Sequence, residues 1–206
     1  MFKVIEVEQR SPEWFEARLG KWTASSFARA ITASGSISSS ADENINRLVA
    51  EVITGKPDES FTSDAMERGT NLESEALDHV NFVIGADFKP TGLVVYIDDF
   101  SACSPDGIDW DKSIGLELKC PSAHTHIGYL AGETLPPKYK QQVQGSMFVT
   151  GFKQWVFASY HPDLPAFIIT VDRDEEYIKK LSAALSSFRD TFSERLTKTV
   201  AKFEVE

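Results

Sequence analysis

The chain has 206 residues, of which 42% are hydrophobic and 25% charged, and this balance is typical of a globular protein with a substantial core. No apolar run approaches the ~20 residues of a membrane span and no signal peptide opens the sequence, so we expect a cytoplasmic protein with no membrane partner. Cys103 and Cys120 are too few for a four-thiolate metal site, and the net charge of −10 counts against a simple binder of phosphate backbones.

Two short helices are predicted at the start of the chain. Ser11-Pro12-Glu13 has the pattern of an N-cap, a proline in the first helical position and an acidic first turn, and the helix should end near Gly20. Thr23 can cap a second helix that runs to about Ile31. Residues 33–41 are rich in serine and glycine, which predicts a loop, and no role is assigned to it.

Two longer helices follow. Ser40 and Glu43 form a capping-box pattern, apolar residues then recur at helical spacing, and Gly55 ends the helix. The next helix is predicted from about Asp64 to Val83.

The pattern then changes to the alternation of β-strands. Residues 93–97 predict one strand, and the segments near 101–109 and 114–119 predict a hairpin that turns at 111–113. Helices are expected near 122–131 and 138–150, strands at 154–160 and 166–171, and a last amphipathic helix at about 173–196. The order indicates an α/β fold, in which helices flank one mixed central β-sheet. No repeat or long linker divides residues 1–206, so we expect a single domain.

The predicted hairpin carries the chemistry. Glu117 and Lys119 are two residues apart and therefore share one face of a strand, and the hairpin can bring Asp106 beside them. Two carboxylates suit a hard divalent cation such as Mg²⁺ or Mn²⁺, and the backbone carbonyl of Leu118 could be a further ligand. A cation there would activate water and stabilise charge on a phosphodiester, and Lys119 could orient that water or take its proton if the pKa of Lys119 is depressed.

The acidic charge does not exclude such a nuclease, because a bound cation reverses the local field. The simpler alternative is a charged stripe on an exposed edge strand. Against it, the strand is bracketed by apolar residues, so its charges need partners.

Several motifs together resemble the YqaJ-type viral recombinases, the lambda phage exonuclease family. The resembling segments are 14–20 (WFEARLG), 23–25 (TAS), 68–76 (RGTNLESEA), 102–107 (ACSPDG), 115–121 (GLELKCP) and 142–147 (QVQGSM). Their order and spacing agree with the family over roughly residues 10–190. The resemblance implies that these residues form the catalytic core. The family has a restriction-endonuclease-like core, so the resemblance implies the same fold here.

The resemblance also implies roles for individual residues. Asp106, Glu117 and Lys119 match the catalytic triad. Helical spacing alone cannot separate Glu73 from Glu75, and only the resemblance selects Glu73 as the glutamate that completes the metal site. The residues that match the family's 5′-phosphate site are Arg18, Ser25, Ser104 and Gln144.

The function implied is a Mg²⁺-dependent 5′-to-3′ exonuclease of linear double-stranded DNA, in which Mn²⁺ can substitute. It would leave a 3′ single-stranded overhang, assemble as a homotrimer and work with a single-strand annealing protein in the recombination of a phage or prophage in a bacterial host. Two alternatives stay open: an endonuclease of the same fold, and an acidic metal-binding or assembly protein without catalysis. His124 and His126 follow the site but are not assigned a role.

Overall fold

The computed structural model describes residues 1–57 and 64–203, and only the backbone of residues 64–71. The side chains of Arg68 to Asn71, part of a motif named above, therefore lie outside the described residues. The strands are β1 Phe2–Ile5, β2 Trp22–Thr23, β3 Leu93–Tyr96, β4 Ser101–Cys103, β5 Gly107–Asp109, β6 Ile114–Lys119, β7 Gln154–His161 and β8 Leu164–Asp172. The α-helices are α1 Pro12–Arg18, α2 Ala41–Thr54, α3 Asp64–Ile84, α4 Ala123–Gly132, α5 Lys140–Thr150 and α6 Glu175–Val200, and two 3-10 helices span Ala24–Arg29 and Pro137–Tyr139. None of the described helices combines the length and apolarity needed to cross a membrane.

The strands form two four-stranded sheets of mixed direction. The first has the order β1-β3-β4-β2, with β2 and β4 parallel and the other pairs antiparallel. The second has the order β5-β6-β7-β8, with β6 and β7 parallel and the other pairs antiparallel. The predicted α/β class with mixed strands flanked by helices is confirmed, although the strands are divided between two sheets rather than joined in one.

The division occurs inside the segment that was predicted as one strand at 101–109. Its first part, β4, pairs in the first sheet, and its second part, β5, pairs with β6 in the second. Pro105 lies between them and has no N–H to donate, so it cannot continue a ladder of hydrogen bonds on both sides. Residues 104–106 therefore cross from one sheet to the other.

The predicted helix ends are confirmed in part. Ser11 caps α1 by accepting a hydrogen bond from the Trp14 N–H at 3.2 Å, and Gly55 ends α2 in the left-handed conformation with φ 66°. The predicted capping box of α2 is wrong, since the Ser40 backbone is already helical and its side chain makes no cap bond. Thr23 precedes a 3-10 helix, not an α-helix, and its side chain does not cap it either.

Helix α5 is the central helix of the core. Almost all of its residues are buried, and it contacts both sheets, α6 and the 3-10 helix at 24–29. The contact with that 3-10 helix is close because Gly145 lies against the Phe27 ring, where an added Cβ would meet a ring carbon at 2.1 Å. This approach places residues of α5 beside the beginning of the 3-10 helix.

Helix α3 covers the outer face of the second sheet. Ala76, Leu77 and Val80 pack against Leu116 and Leu118 of β6 in a separate apolar cluster. Leu118 thus points away from the face that carries its two charged neighbours, as the alternation of a strand requires.

Candidate active site

Strand β6 presents Glu117 and Lys119 on one face, as predicted. The Glu117 side chain is buried with 1% residue exposure, and its Oε1 atom contacts the Lys119 Nζ atom as an ion pair. Lys119 thus supplies the opposite charge that a buried carboxylate requires.

Asp106 reaches the same strand through the backbone. Its N–H donates to the Leu116 carbonyl at 3.1 Å, and its Oδ2 atom accepts from the Leu118 N–H at 2.6 Å. The N–H and C=O of one residue point to the same edge of an extended strand, so the Leu118 carbonyl faces the edge where Asp106 lies. Pro105 and the crossing between the sheets thus bring Asp106 to Glu117 and Lys119.

The pKa values of Asp106 and Glu117 depend on their burial and on the charges of their neighbours. Burial raises the pKa of Glu117 to about 7, with the negative charges of Asp106 and Glu73 adding to the effect and Lys119 opposing it. Burial also raises the pKa of Asp106, with Glu73 adding to the rise, while Lys119 and the Leu118 N–H oppose it. Asp106 and Glu117 are thus two buried carboxyl groups whose ionisation a bound cation would favour.

Lys119 does not meet the condition for one of its two predicted roles, that of a base. Burial acts to lower the pKa of Lys119, but the charges of Glu117 and Asp106 outweigh burial and raise the pKa above its ordinary value. The suggestion that Lys119 takes a proton from water required a depressed pKa, and the arrangement without a metal gives the opposite. Here Lys119 is a fixed positive charge.

Glu73 lies on α3 near these groups but is paired elsewhere. Its Oε2 atom accepts from Arg10 Nη2 at 2.7 Å, and the pair borders a cleft of about 420 Å³ that Asp106 also lines. Among the described side chains, no three carboxylate, imidazole or thiol groups are arranged to hold a metal ion. We call the cleft of about 420 Å³ the acidic cleft, and its charged lining residues are Glu6, Glu8, Arg10, Glu73 and Asp106.

The groups present nevertheless fit a hard divalent cation. Asp106, Glu117 and the Leu118 carbonyl offer oxygen ligands, the donor type that Mg²⁺ and Mn²⁺ prefer. Glu73 would be a further ligand once its bond to Arg10 is broken.

A second cavity, of about 160 Å³, adjoins the first and is lined by three of the four residues predicted to bind a 5′-phosphate. Arg18 donates to the Ser104 hydroxyl at 3.1 Å and to the Thr23 hydroxyl at 3.2 Å, and Thr23 is 3.2 Å from the Ser25 hydroxyl. The guanidinium lies 4.0 Å from the centre of the Trp14 ring. Burial lowers the pKa of Arg18 to about 10, so Arg18 stays charged at neutral pH. We call this cavity the phosphate pocket.

Gln144, the fourth residue predicted for this site, lies outside the phosphate pocket. Its side chain is buried on another face of α5, where it donates to the Asp172 carbonyl at 2.9 Å and accepts from the Asp174 N–H at 2.8 Å. Gln142 lines the pocket instead. Two residues apart on a helix differ in direction by about 200°, so the two glutamines cannot serve the same cavity.

Among the residues that sequence reasoning missed at these cavities are Gln9, Arg10 and Gln142, the first two of which line both. The helical period of α5 could have identified Gln142, since it separates residues 142 and 144. Gln9 and Arg10 precede α1 in a loop, where no periodic pattern predicts a direction.

The two histidines without an assigned role are placed differently. His126 is fully buried, with Nδ1 at 2.7 Å from the Ser159 hydroxyl and Nε2 at 2.9 Å from the Pro165 carbonyl. His124 is exposed and lies 3.1 Å from the Ser122 hydroxyl. The hydrogen bonds of His126 join α4 to the second sheet, so its role is structural.

Fold and site together define a phage-type nuclease core, and comparison with known proteins gives the family. The YqaJ-like viral recombinase domain matches residues 13–153, more than half of the chain. The chain therefore belongs to the YqaJ-like viral recombinase family. No curated protein matches it significantly.

Solved structures agree. An alkaline exonuclease, LHK-Exo, from Laribacter hongkongensis is 30% identical, with a TM-score of 0.84 over 94% of this chain and 98% of that one. The same enzyme in complex with dAMP is 29% identical, with a TM-score of 0.82 and the same coverage of both chains. A phage-related exonuclease from Haemophilus somnus 129PT shares the fold at 15% identity, with a TM-score of 0.68 over 87% of this chain and 96% of that one.

Proposed function

We propose that this chain is a divalent-metal-dependent exonuclease that degrades one strand of linear double-stranded DNA from its 5′ end. The physiological cation is Mg²⁺, and Mn²⁺ can replace it. The product is duplex with a 3′ single-stranded overhang, the substrate that a single-strand annealing protein requires. The family and the exonuclease activity of LHK-Exo support this proposal.

One observation carries the proposal: the phosphate pocket adjoins the carboxylates of the acidic cleft. Ser104 lines the pocket and Asp106, two residues later, lines the cleft. The crossing of residues 104–106 between the two sheets fixes the positions of both residues. An anion pocket beside a candidate metal site is what an enzyme needs to recognise a phosphorylated end and cut the next phosphodiester.

The residues divide the chemistry between them. Asp106, Glu117 and the Leu118 carbonyl, with Glu73, would hold the cation, which when bound supplies Lewis-acid activation of water and phosphodiester. Lys119, held protonated by its carboxylate neighbours, orients the water and places positive charge where negative charge develops.

The products explain why a pocket for a terminal phosphate is useful. Hydrolysis forms a bond from the water oxygen to phosphorus and breaks the bond from phosphorus to the 3′ oxygen. The released mononucleotide carries a 5′-hydroxyl or 5′-phosphate from the original end, and the new end always carries a 5′-phosphate. Arg18, Ser25, Ser104 and Gln142 can bind that new end with charge-assisted and neutral hydrogen bonds.

The function is tested by incubating linear duplex with the protein and Mg²⁺. We expect mononucleotides to be released progressively from 5′ ends, with closed circular duplex left intact. Asp106→Asn and excess chelator should each abolish release. Discrete fragments would support an endonuclease, and no hydrolysis would support a metal-binding or assembly protein.

A second prediction concerns the 5′-phosphate. Duplex with 5′-phosphates should be digested faster than the same duplex with 5′-hydroxyls, and Arg18→Ala should remove most of that preference. The loss corresponds to ~1.5–3 kcal/mol, the range for a hydrogen bond to a charged group. Initial rates on both substrates with both proteins are the measurement. Wild-type protein that is indifferent to the 5′-phosphate would place end recognition elsewhere.

A further inference from the structure

Arg10 lies at the boundary between the two cavities of the site. It lines both the acidic cleft and the phosphate pocket, yet it belongs to neither the carboxylate set nor the hydroxyl set. Its side chain is half-exposed, with 50% exposure, so water can reach the guanidinium. Its position allows contact with a group on either side.

The present partner of Arg10 is one of the proposed metal ligands. Arg10 Nη2 is 2.7 Å from Glu73 Oε2, and the Glu73 side chain is 28% exposed. A partly exposed ion pair of this kind contributes little net stability, so another cation can displace it. The charge of Arg10 also acts on Asp106, where it opposes the rise in pKa caused mainly by burial.

The backbone holds Arg10 in this place at some cost. The Ser11 N–H donates to the Glu8 carbonyl at 3.1 Å, which closes a four-residue turn with Arg10 in its third position. The φ angle of Arg10 is 72°, a left-handed conformation in which this turn position usually carries glycine. Gln9 fastens the turn through bonds to the Thr91 and Pro105 carbonyls at 2.7 and 2.8 Å. Strained backbone next to a site is a reason to look for a function of the side chain it presents.

We propose that Arg10 couples metal binding to DNA binding by exchanging its partner. Without metal, Arg10 neutralises Glu73. A divalent cation that takes Glu73 as a ligand releases the guanidinium, which then binds a DNA phosphate at the mouth of the phosphate pocket. The inference rests on the proposed function, because it needs both the metal site and DNA as the ligand.

The exchange follows from charge. A divalent cation and a guanidinium compete for the same carboxylate and repel each other beside it. The released guanidinium has planar N–H donors that suit phosphate oxygens, and it already borders the pocket, so no rearrangement of the backbone is needed. Because coupling between two ligands is reciprocal, DNA must raise metal affinity by the same factor by which metal raises DNA affinity.

The central test uses no metal and no turnover. The affinity for a short duplex with 5′-phosphates is measured by fluorescence anisotropy in excess chelator for wild type, Glu73→Gln, Arg10→Gln and the double variant. Glu73→Gln removes one negative charge, which by itself tightens DNA binding, and it should also release Arg10. In the wild-type background the gain in DNA affinity should therefore be ~3- to 5-fold larger than in the Arg10→Gln background, where only the effect of the charge remains.

A second measurement follows the metal directly. Titration calorimetry with Mn²⁺ in the absence of DNA should show tighter binding to Arg10→Gln than to wild type, because the competing guanidinium is gone. Arg195→Gln is the matched control: Arg195 forms a pair with Asp42 at the same distance of 2.7 Å, and neither residue lines either cavity. Its DNA and Mn²⁺ affinities should equal those of wild type.

The outcomes separate this inference from the proposed function. Equal effects of Glu73→Gln with and without Arg10, or equal Mn²⁺ affinity of wild type and Arg10→Gln, would overturn the exchange even if the wild type digests DNA normally. Wild type that binds neither duplex nor Mn²⁺ would overturn both.

Discussion

The side chain of Lys119 lies beside two carboxylates that fix its charge. Its Nζ atom contacts Glu117, and the charges of Glu117 and Asp106 raise the pKa of Lys119 despite burial. We therefore propose that Lys119 acts in catalysis through its positive charge and its N–H donors, not as a base.

Lys119→Ala should therefore lower turnover by ~10²-fold or more, the usual cost of losing one group that stabilises charge in a transition state. DNA affinity should change little, since one cation among many contacts is a small term. Lys112→Ala removes the same charge from the turn between β5 and β6 and should keep the wild-type rate. Single-turnover kinetics measure the effect, and a near-normal rate for Lys119→Ala would exclude this role.

Gln142 and Gln144 form a natural pair of test positions, because they have the same side chain on different faces of α5. Gln142→Ala should reduce the preference for 5′-phosphate and leave the free energy of unfolding almost unchanged. Gln144→Ala should keep the preference but lower stability by ~1–3 kcal/mol, since it removes two hydrogen bonds that join the buried Gln144 side chain to the backbone of Asp172 and Asp174. Denaturant titration and initial rates on the two DNA ends measure both. The reverse pattern would restore Gln144 to the phosphate pocket.

At the scale of elements, the packing of α5 on the 3-10 helix at 24–29 aligns the phosphate pocket. Gly145 allows the contact, and the two elements contribute Gln142 and Ser25 to the cavity. The pocket thus depends on a close approach of two elements.

Gly145→Ala should destabilise the protein by ~1–3 kcal/mol, because the added methyl group overlaps the buried Phe27 ring. In a chain of this size, each kcal/mol corresponds to about 2–4 °C in Tm. Gly128→Ala is the matched control, since its added Cβ meets nothing within 4 Å on helix α4. Thermal unfolding followed by circular dichroism compares them. A Gly145→Ala protein as stable as wild type would show that the two elements can separate without cost.

At the scale of the molecule, the net charge of −10 is a handicap for DNA binding. The resemblance to the lambda phage exonuclease family implies a ring of three chains, and a closed ring would retain a duplex without high affinity for its phosphates. We therefore expect light scattering at micromolar protein to give three times 22.9 kDa. A monomeric mass together with processive digestion would contradict the ring.

The sequence could predict most of the elements because the signals for them are local. Proline and serine at the start of α1, glycine at the end of α2 and alternation along β6 depend on neighbouring residues alone. The prediction of one strand at 101–109 failed because the segment divides between two sheets whose other strands come from distant parts of the chain. The prediction of a cap at Ser40 failed for a local reason, since the Ser40 backbone is already helical.

The sequence by itself predicted Asp106, Glu117 and Lys119 as one set from residue type and spacing. The resemblance of its motifs to the YqaJ-type family implied Arg18, Ser25 and Ser104 as part of a second set. Only the tertiary structure decided that Arg10 is the partner of Glu73 and that Gln142 shares a cavity with Arg18. Both facts join segments that are far apart in sequence, because packing and electrostatic energies depend on distance in space.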